Sequence, residues 1–339
     1  GLLADPPPAP PPAPPPVPGW KTLAAESQPA LLTLARPVDD TRSYFFGGFF
    51  ISKEGHAICD LRALTGTSLP TELWIENRKS TPEIQILAVF PSQTLTLLKF
   101  NYRPGKWLTL SEVELPFDAH VAFLMPDQIP PLHTGQVLGK WKSRDSSRPV
   151  APYTDCLSIG TSPPGSDSHG LSTLRGGFRL IDREGGVRGS LSGIAPSTRQ
   201  LLVLAVPLHS IAKQIRKAIE KPTEIRFPIP AELNPIDPVP MTPAFQTAVA
   251  SMMRGDTDQA LTSIQTLLET HPDSAVVRKL QLDTLYEAKR MVEVKALLDE
   301  LEHSPDGTGF SQVDLLNQKA ILLGGQPDLE PAIATIRKI

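Results

Sequence analysis

Residues able to do acid–base or nucleophilic chemistry are spread thinly along this chain. His120, His133 and His169 could each supply an imidazole, but no fixed spacing ties any of them to a serine or a carboxylate, and each reads as a surface or hydrogen-bonded histidine. Asp155, Asp167 and Asp182 stand in loop-like text beside Gly and Ser, where short acids form turns. The pentad Gly189-Ser190-Leu191-Ser192-Gly193 has the outline of a G-x-S-x-G nucleophile elbow. Its centre is leucine and no strand-to-helix turn follows, so Ser190 and Ser192 read as alternating strand residues. "GTSPPGSDSHG", residues 160–170, lacks the helix that a phosphate-binding loop needs and reads as a surface loop. Cys59 and Cys156 are too few for a disulfide framework and match no zinc spacing, which leaves one disulfide or two buried thiols. No cofactor or metal is expected from these residues.

Composition narrows the partner class. The 339 residues are 40% hydrophobic and carry a net charge of −3, enough for a core divided among two or three domains. With 6% aromatic residues and no broad basic face, nucleic acid is excluded as the expected partner. No apolar run approaches the roughly 20 residues that cross a bilayer.

The elements that must position any site follow from punctuation and period. Residues 1–19 are a Pro-rich tract, "ADPPPAPPPAPPPVPGW", expected to run as polyproline II. Pro6 to Pro18 would span about 40 Å as a stalk, at about 3.1 Å per residue. Such a stalk suits a chain whose signal or membrane tether lies upstream. From Trp20 to Phe227 the text is short apolar or alternating runs broken by Gly, Pro, Ser and Asp, at spacings that suit antiparallel barrels or sandwiches. After Pro207 the period changes, with Leu208, Ile211, Ile215 and Ile219 on one helical face.

This succession resembles the trypsin-like serine proteases, most closely the HtrA-type branch. "ESQPALLTLARP" is similar to the family's opening strand, and "GGFFISKEGHAICDLRAL" to its Gly-rich strand, its turn at Glu54-Gly55 and the strand that delivers the catalytic histidine. "AVFPSQTLTLLKF" resembles the entry to the catalytic aspartate, and "REGGVRGSLSGI" with "LLVLAVPLHSIAKQIRKAI" the hairpin and closing helix after the nucleophile. The resemblance implies two antiparallel β-barrels, residues 20–130 and 131–228, about a cleft.

Carried over position by position, the histidine falls on Arg62, the aspartate on Thr94 and the serine on Gly176, or on Arg175 if the paired glycines are matched instead. A guanidinium stays protonated and cannot act as base, a threonine hydroxyl carries no charge to steady an imidazolium, and glycine offers no nucleophile. The stretch from Ile159 to Gly177 is also shorter than the family's approach to its nucleophile. The expectation is therefore a chain that is not an enzyme. In the alternative, an active hydrolase uses displaced residues, such as a loop serine with His169 or His133.

A Pro-rich linker, residues 229–241, leads into helical text over 242–339. Val294, Leu298 and Leu301 follow Ala260, Ile264 and Leu267 by 34 residues, a layout that resembles tetratricopeptide repeats; a plain helical bundle is the other reading. The Trp, Gly and Tyr of that pattern are missing from the first helices, which carry Ala248, Ser251 and Leu282 near those places. One helix pair cannot bury its apolar stripe alone, so stacked pairs share it and leave a concave face. Gln246, Ser251 and Arg254 are its expected partner-facing positions in the first unit.

The expected class is a multidomain β plus α protein: an inactive protease-like scaffold or adaptor in the cell envelope, periplasmic or secreted. It is expected to bind a protein or peptide partner and no small-molecule cofactor.

Overall fold

A computed structural model of the chain describes residues 19–37, 43–66, 69–76, 78–124, 133–143, 154–161, 179–195, 201–230, 232–234, 236–303 and a few positions between 315 and 322. Helix α1, Trp20–Ser27, precedes the first strand where strand text was expected. Leu23, Ala24 and Ser27 recur at helical spacing, and all three are buried.

Strands β1 Leu31–Pro37, β2 Ser43–Phe50, β3 His56–Asp60, β4 Glu72–Ile75, β5 Arg78–Ser80, β6 Ile84–Phe90 and β7 Leu95–Phe100 form one seven-stranded antiparallel sheet, in the order β5-β4-β1-β2-β3-β7-β6. This corrects the expectation of a first closed barrel. The edge strand β5, "RKS", is three residues long and fully exposed, with two cations that blunt further pairing. On the other edge, Ile225 makes a single antiparallel bridge to Ile86 of β6.

β8 His120–Leu124, β9 His133–Ser143, β10 Thr154–Thr161, β11 Arg179–Ile181, β12 Val187–Ala195 and β13 Leu201–Pro207 do close, in the order β10-β13-β12-β11-β8-β9. β8 belongs to this barrel, pairing with β9 and β11, so the chain passes from sheet to barrel before His120 rather than near residue 130. Helix α2, His209–Glu220, confirms the change of period after Pro207, with Ile211, Ala212 and Ile215 buried.

The sheet is covered on both faces. Phe49, Ile58, Leu95 and Leu97 on one face share a core with Ala122, Leu124, Ile181 and Val187 of the barrel, Leu23 of α1 and Ile211 and Ile215 of α2. On the other face, Leu32, Leu34, Phe50, Leu98 and Phe100 pack with Ile225, Phe227, Ile229 and Met241. The Pro-rich residues 229–241 are therefore a strap laid on the sheet. Asn234 Nδ2 donates to Thr65 Oγ1 at 3.2 Å, and Tyr44 Oη donates to the Pro240 carbonyl at 2.8 Å. Two-sided burial explains why "SYFFGGFF" lacks clean alternation. Gly48 in that run has no space for a side chain, because a Cβ would lie 2.6 Å from Cys59 Sγ.

Beyond the strap come α3 Pro243–Met253, α4 Thr257–Thr270, α5 Ala275–Glu287 and α6 Met291–His303. Thr242, Asp256 and Ser274 cap α3, α4 and α5 through side-chain oxygens, as short polar residues before apolar periods do. α3 packs on α4 around Ala248, Ile264 and Leu267, and α5 on α6 around Leu285, Val294 and Leu298.

At Gly55 the hairpin turn requires φ +90°, and a Cβ there would stand 2.2 Å from the Tyr102 carbonyl oxygen. Gly55→Ala should lower unfolding free energy by about 1–3 kcal/mol, combining left-handed strain with overpacking against backbone. The check is a lowered urea midpoint at unchanged m-value.

Candidate functional site

The positions that the family resemblance singles out begin at the end of β3. Asp60 turns the chain into a short helical turn, Leu61–Leu64, and caps it by accepting the Arg62 N–H at 2.8 Å. The same carboxylate takes the Arg62 guanidinium in a fork, Nε at 3.0 and 3.1 Å and Nη2 at 2.6 Å. Asp60 is nearly buried while the Arg62 side chain is one-third exposed, 33%. A bidentate, half-sheltered pair of this kind fixes both side chains.

Thr94 sits beside this turn. It closes the "PSQ" turn before β7 in the left-handed region, φ 56°, and its carbonyl accepts the Leu61 N–H at 2.9 Å. The structure thus brings Arg62 and Thr94 onto neighbouring turns. Gly176 and Arg175 lie outside the described residues, as do His169 and Asp167.

From the barrel side, Arg179 of β11 reaches the same interface. It is 1% exposed, its Nη1 donates to Ser190 Oγ at 3.0 Å, and its guanidinium lies 4.7 Å from the Phe49 ring centre. Burial draws its pKa down to about 10, against the pull of Cys59 and Asp60. Burial likewise pushes the Cys59 thiol up to about 12, with the Arg179 charge opposing. Cys59 and Cys156 are both buried and form no disulfide, which decides between the two readings of this pair in favour of thiols.

The remaining candidates resolve one by one. Asp182 is a turn former: its Oδ1 accepts from the N–H groups of Glu184 at 3.0 Å and Gly186 at 2.8 Å, and its carboxylate pairs with Arg188. Ser190 is buried under Arg179, and Leu191 lies at a register break between β12 and β13, with β12 continuing as strand to Ala195. Asp155 lies in β10 opposite Lys142, His133 opens β9 opposite Phe123, and His120 opens β8 exposed to solvent. In the helices, Gln246 Nε2 donates to the Pro240 carbonyl at 2.8 Å, and exposed Arg254 donates to Ser251 Oγ at 3.1 Å. Ser251 is 0% exposed, sealed between α3 and α4, and presents no surface to a partner.

Two features escaped the sequence reading. One is Arg179, whose burial only the meeting of the sheet and barrel reveals. The other is a serine–imidazole contact at the β2–β3 hairpin, Ser52 Oγ to His56 Nδ1 at 2.8 Å. Their separation by four residues around a Glu-Gly turn was a usable signal. Among the described residues no group of three His, Cys, Asp or Glu could hold a metal ion, and no helix is long and apolar enough to cross a membrane.

No family model and no curated protein matches the chain. Solved structures similar to it include proteases, among them an HtrA-type one. The Rv3671c protease of M. tuberculosis in its active form overlaps 61% of this chain and 86% of its own, at 15% identity and a TM-score of 0.44. A serine-to-alanine mutant of the same protein from M. tuberculosis H37Rv, in the inactive form, overlaps 60% and 92%, also at 15% and 0.44. A serine-to-alanine form of the HtrA-type protease AlgW with a tripeptide overlaps 61% and 65%, at 15% and 0.44. The likeness is one of architecture.

These neighbours correct the expectation that the chain is an inactive pseudoprotease scaffold and not an enzyme. They are proteases, one of them in its active form, and Gly176, the position carried over for the nucleophile, lies outside the described residues. Arg62 and Thr94 offer no base and no charged partner for one, yet that excludes only a triad at those places.

Asp60→Ala should cost about 1–3 kcal/mol, since it removes a helix cap and leaves a half-sheltered guanidinium unanswered. For Cys59 the sign follows from its raised pKa. The unfolded thiol, ordinarily near 9.0, ionises before the folded one near 12, so its stabilising share is complete below pH 9 and falls away between those values. From pH 8 to pH 10, wild type should lose roughly 1 kcal/mol more than Cys59→Ala, read from guanidinium unfolding at each pH.

Proposed function

We propose that the chain is a serine-type hydrolase acting on peptide or protein chains, with catalytic groups displaced from Arg62, Thr94 and Gly176. The observation that carries the reading is the neighbouring of two turns, Leu61 N–H to the Thr94 carbonyl at 2.9 Å, where the sheet meets the barrel. A double-β protease does its chemistry at that meeting place, and peptide chains lie extended along it. Here Asp60 occupies the Arg62 guanidinium, so proton transfer belongs to other groups. By sequence, Ser166, Ser168 and Ser172 with His169 or His133 stand before β11, where the family carries its nucleophile.

The helix pairs fit this reading as tetratricopeptide-like arms that hold the partner chain, with Gln246 and Arg254 toward it. Their support is the matched burial of Ala260, Ile264 and Leu267 with Val294, Leu298 and Leu301, 34 residues on. A periplasmic or secreted setting, with a tether ahead of the Pro-rich residues 1–19, goes with it.

The full chain, incubated with casein and with a mixed peptide library, should release fragments detectable by mass spectrometry, and a fluorophosphonate should stop that release. Intact substrates after prolonged incubation at several pH values would sink the reading. Arg254→Glu should raise KM with kcat unchanged if the arms hold the substrate.

A further inference from the structure

We infer that Ser52 and His56 form a nucleophile–base pair at the β2–β3 hairpin, able to take an acyl group from an activated ester or peptide carbonyl. This rests on the hydrolase reading and adds to it a separate acyl-accepting pair, away from the sheet–barrel junction. The hairpin sets the geometry. Ile51 N–H donates to the His56 carbonyl at 2.8 Å and Gly55 N–H to the Ser52 carbonyl at 3.2 Å, which folds residues 52 and 56 onto each other. Ser52 Oγ accepts the His56 backbone N–H at 3.3 Å and stands 2.8 Å from His56 Nδ1. In the tautomer protonated at Nε2 the hydroxyl donates to Nδ1; in the other, Nδ1–H donates to Oγ and the hydroxyl turns to the Glu54 carboxylate.

The surroundings favour the neutral form of that imidazole. Half-burial lowers its pKa from 6.5, and Lys99 adds to that, while Glu54 opposes it. Lys99 lies directly opposite His56 in the β3–β7 register, so an ammonium shares its face. Glu54 carries an anion held low mainly by its own backbone N–H and further by Ser52, and it stands 3.9 Å from Lys53. Glu54, Lys53 and Lys99 are thus the charged groups facing the pair. Both Ser52 and His56 are partly exposed, unlike the sealed Ser190 and Ser251. The pair lies at the opposite end of β3 from Asp60 and Arg62.

The chemistry balances without a further reagent. Ser52 Oγ bonds to the carbonyl carbon as its proton passes to His56 Nδ1. The bond to the leaving oxygen or nitrogen then breaks and that atom takes the proton from Nδ1. Water then gives a proton to the same nitrogen as its oxygen bonds to the acyl carbon; the bond to Ser52 Oγ breaks, Oγ takes the proton back from Nδ1, and the acid leaves.

The test uses the full chain with p-nitrophenyl acetate, following nitrophenolate release and mapping the acetyl group by peptide mass spectrometry. Ser52 should carry the acetyl group, and Ser52→Ala should abolish it. His56→Gln should slow it by about 10²-fold or more, the share of a positioned general base. The wild-type rate should rise with pH and level off below the usual histidine range. A second variant, Ser52→Cys, is read by iodoacetamide, because the two native thiols are buried. Its alkylation should run about tenfold faster than that of an unstructured cysteine peptide and lose that advantage with His56→Gln.

Acetyl found only on Lys53, Lys99 or another serine would overturn this pair, as would equal rates in His56→Gln. Acetylation at another serine together with fragment release from casein would leave the hydrolase reading standing without Ser52. Acetylation at Ser52 with no cleavage of any peptide would keep the pair and sink the wider reading.

Discussion

Burial of one antiparallel sheet on both of its faces is the constraint on which the rest of this protein depends. A seven-stranded sheet with a single covered face would leave Phe46, Phe50 and Phe100, or Phe49 and Leu97, in water, at roughly 25 cal/mol for each Å² of apolar area. The barrel and α2 cover one face and the strap covers the other. Closure of the first sheet into a barrel is unnecessary once both faces and the β6 edge are protected, which is why an open sheet beside a closed barrel is stable here.

That arrangement places charge where water is scarce. Arg179, the guanidinium at the sheet–barrel junction, is held by Ser190, by the face of Phe49 and by the field of Asp60. Asp60 itself is committed to Arg62 through three short contacts and a backbone cap. A carboxylate so engaged holds its cation in place more than it adds stability, since desolvation offsets much of the attraction.

The strap also joins the helices to the sheet. Tyr44, Thr65 and Arg36 hold residues 234–241 from the sheet side, while Gln246 and Ser274 hold them from the helix side, the latter through Asp237 at 2.6 Å. Prolines that read as a spacer in the text fix φ and give up N–H donors, and the Pro240 carbonyl receives both Tyr44 and Gln246. The first helix pair thus grows from the sheet's covered face.

Local chemistry made part of this legible in the text alone. The strands, the Glu54-Gly55 turn, the helix from Leu208 to Ile219 and the paired helices after Thr242 all follow from period, turn residues and caps, which act over a few positions. The order of phrases also indicated that Arg62 and Thr94 would be neighbours. Tertiary packing alone decided the remainder: that β8 belongs to the barrel, that the first sheet stays open, that the strap is docked, that Ser251 is sealed, and that Arg179 is buried. Each depends on which surface a segment meets, and a run such as "HVAFL" or "FRLI" pairs equally well with several partners until the whole set of strands is assembled. The Ser52–His56 contact lies between the two cases, since its spacing stands in the sequence but its 2.8 Å approach exists only once the hairpin has closed.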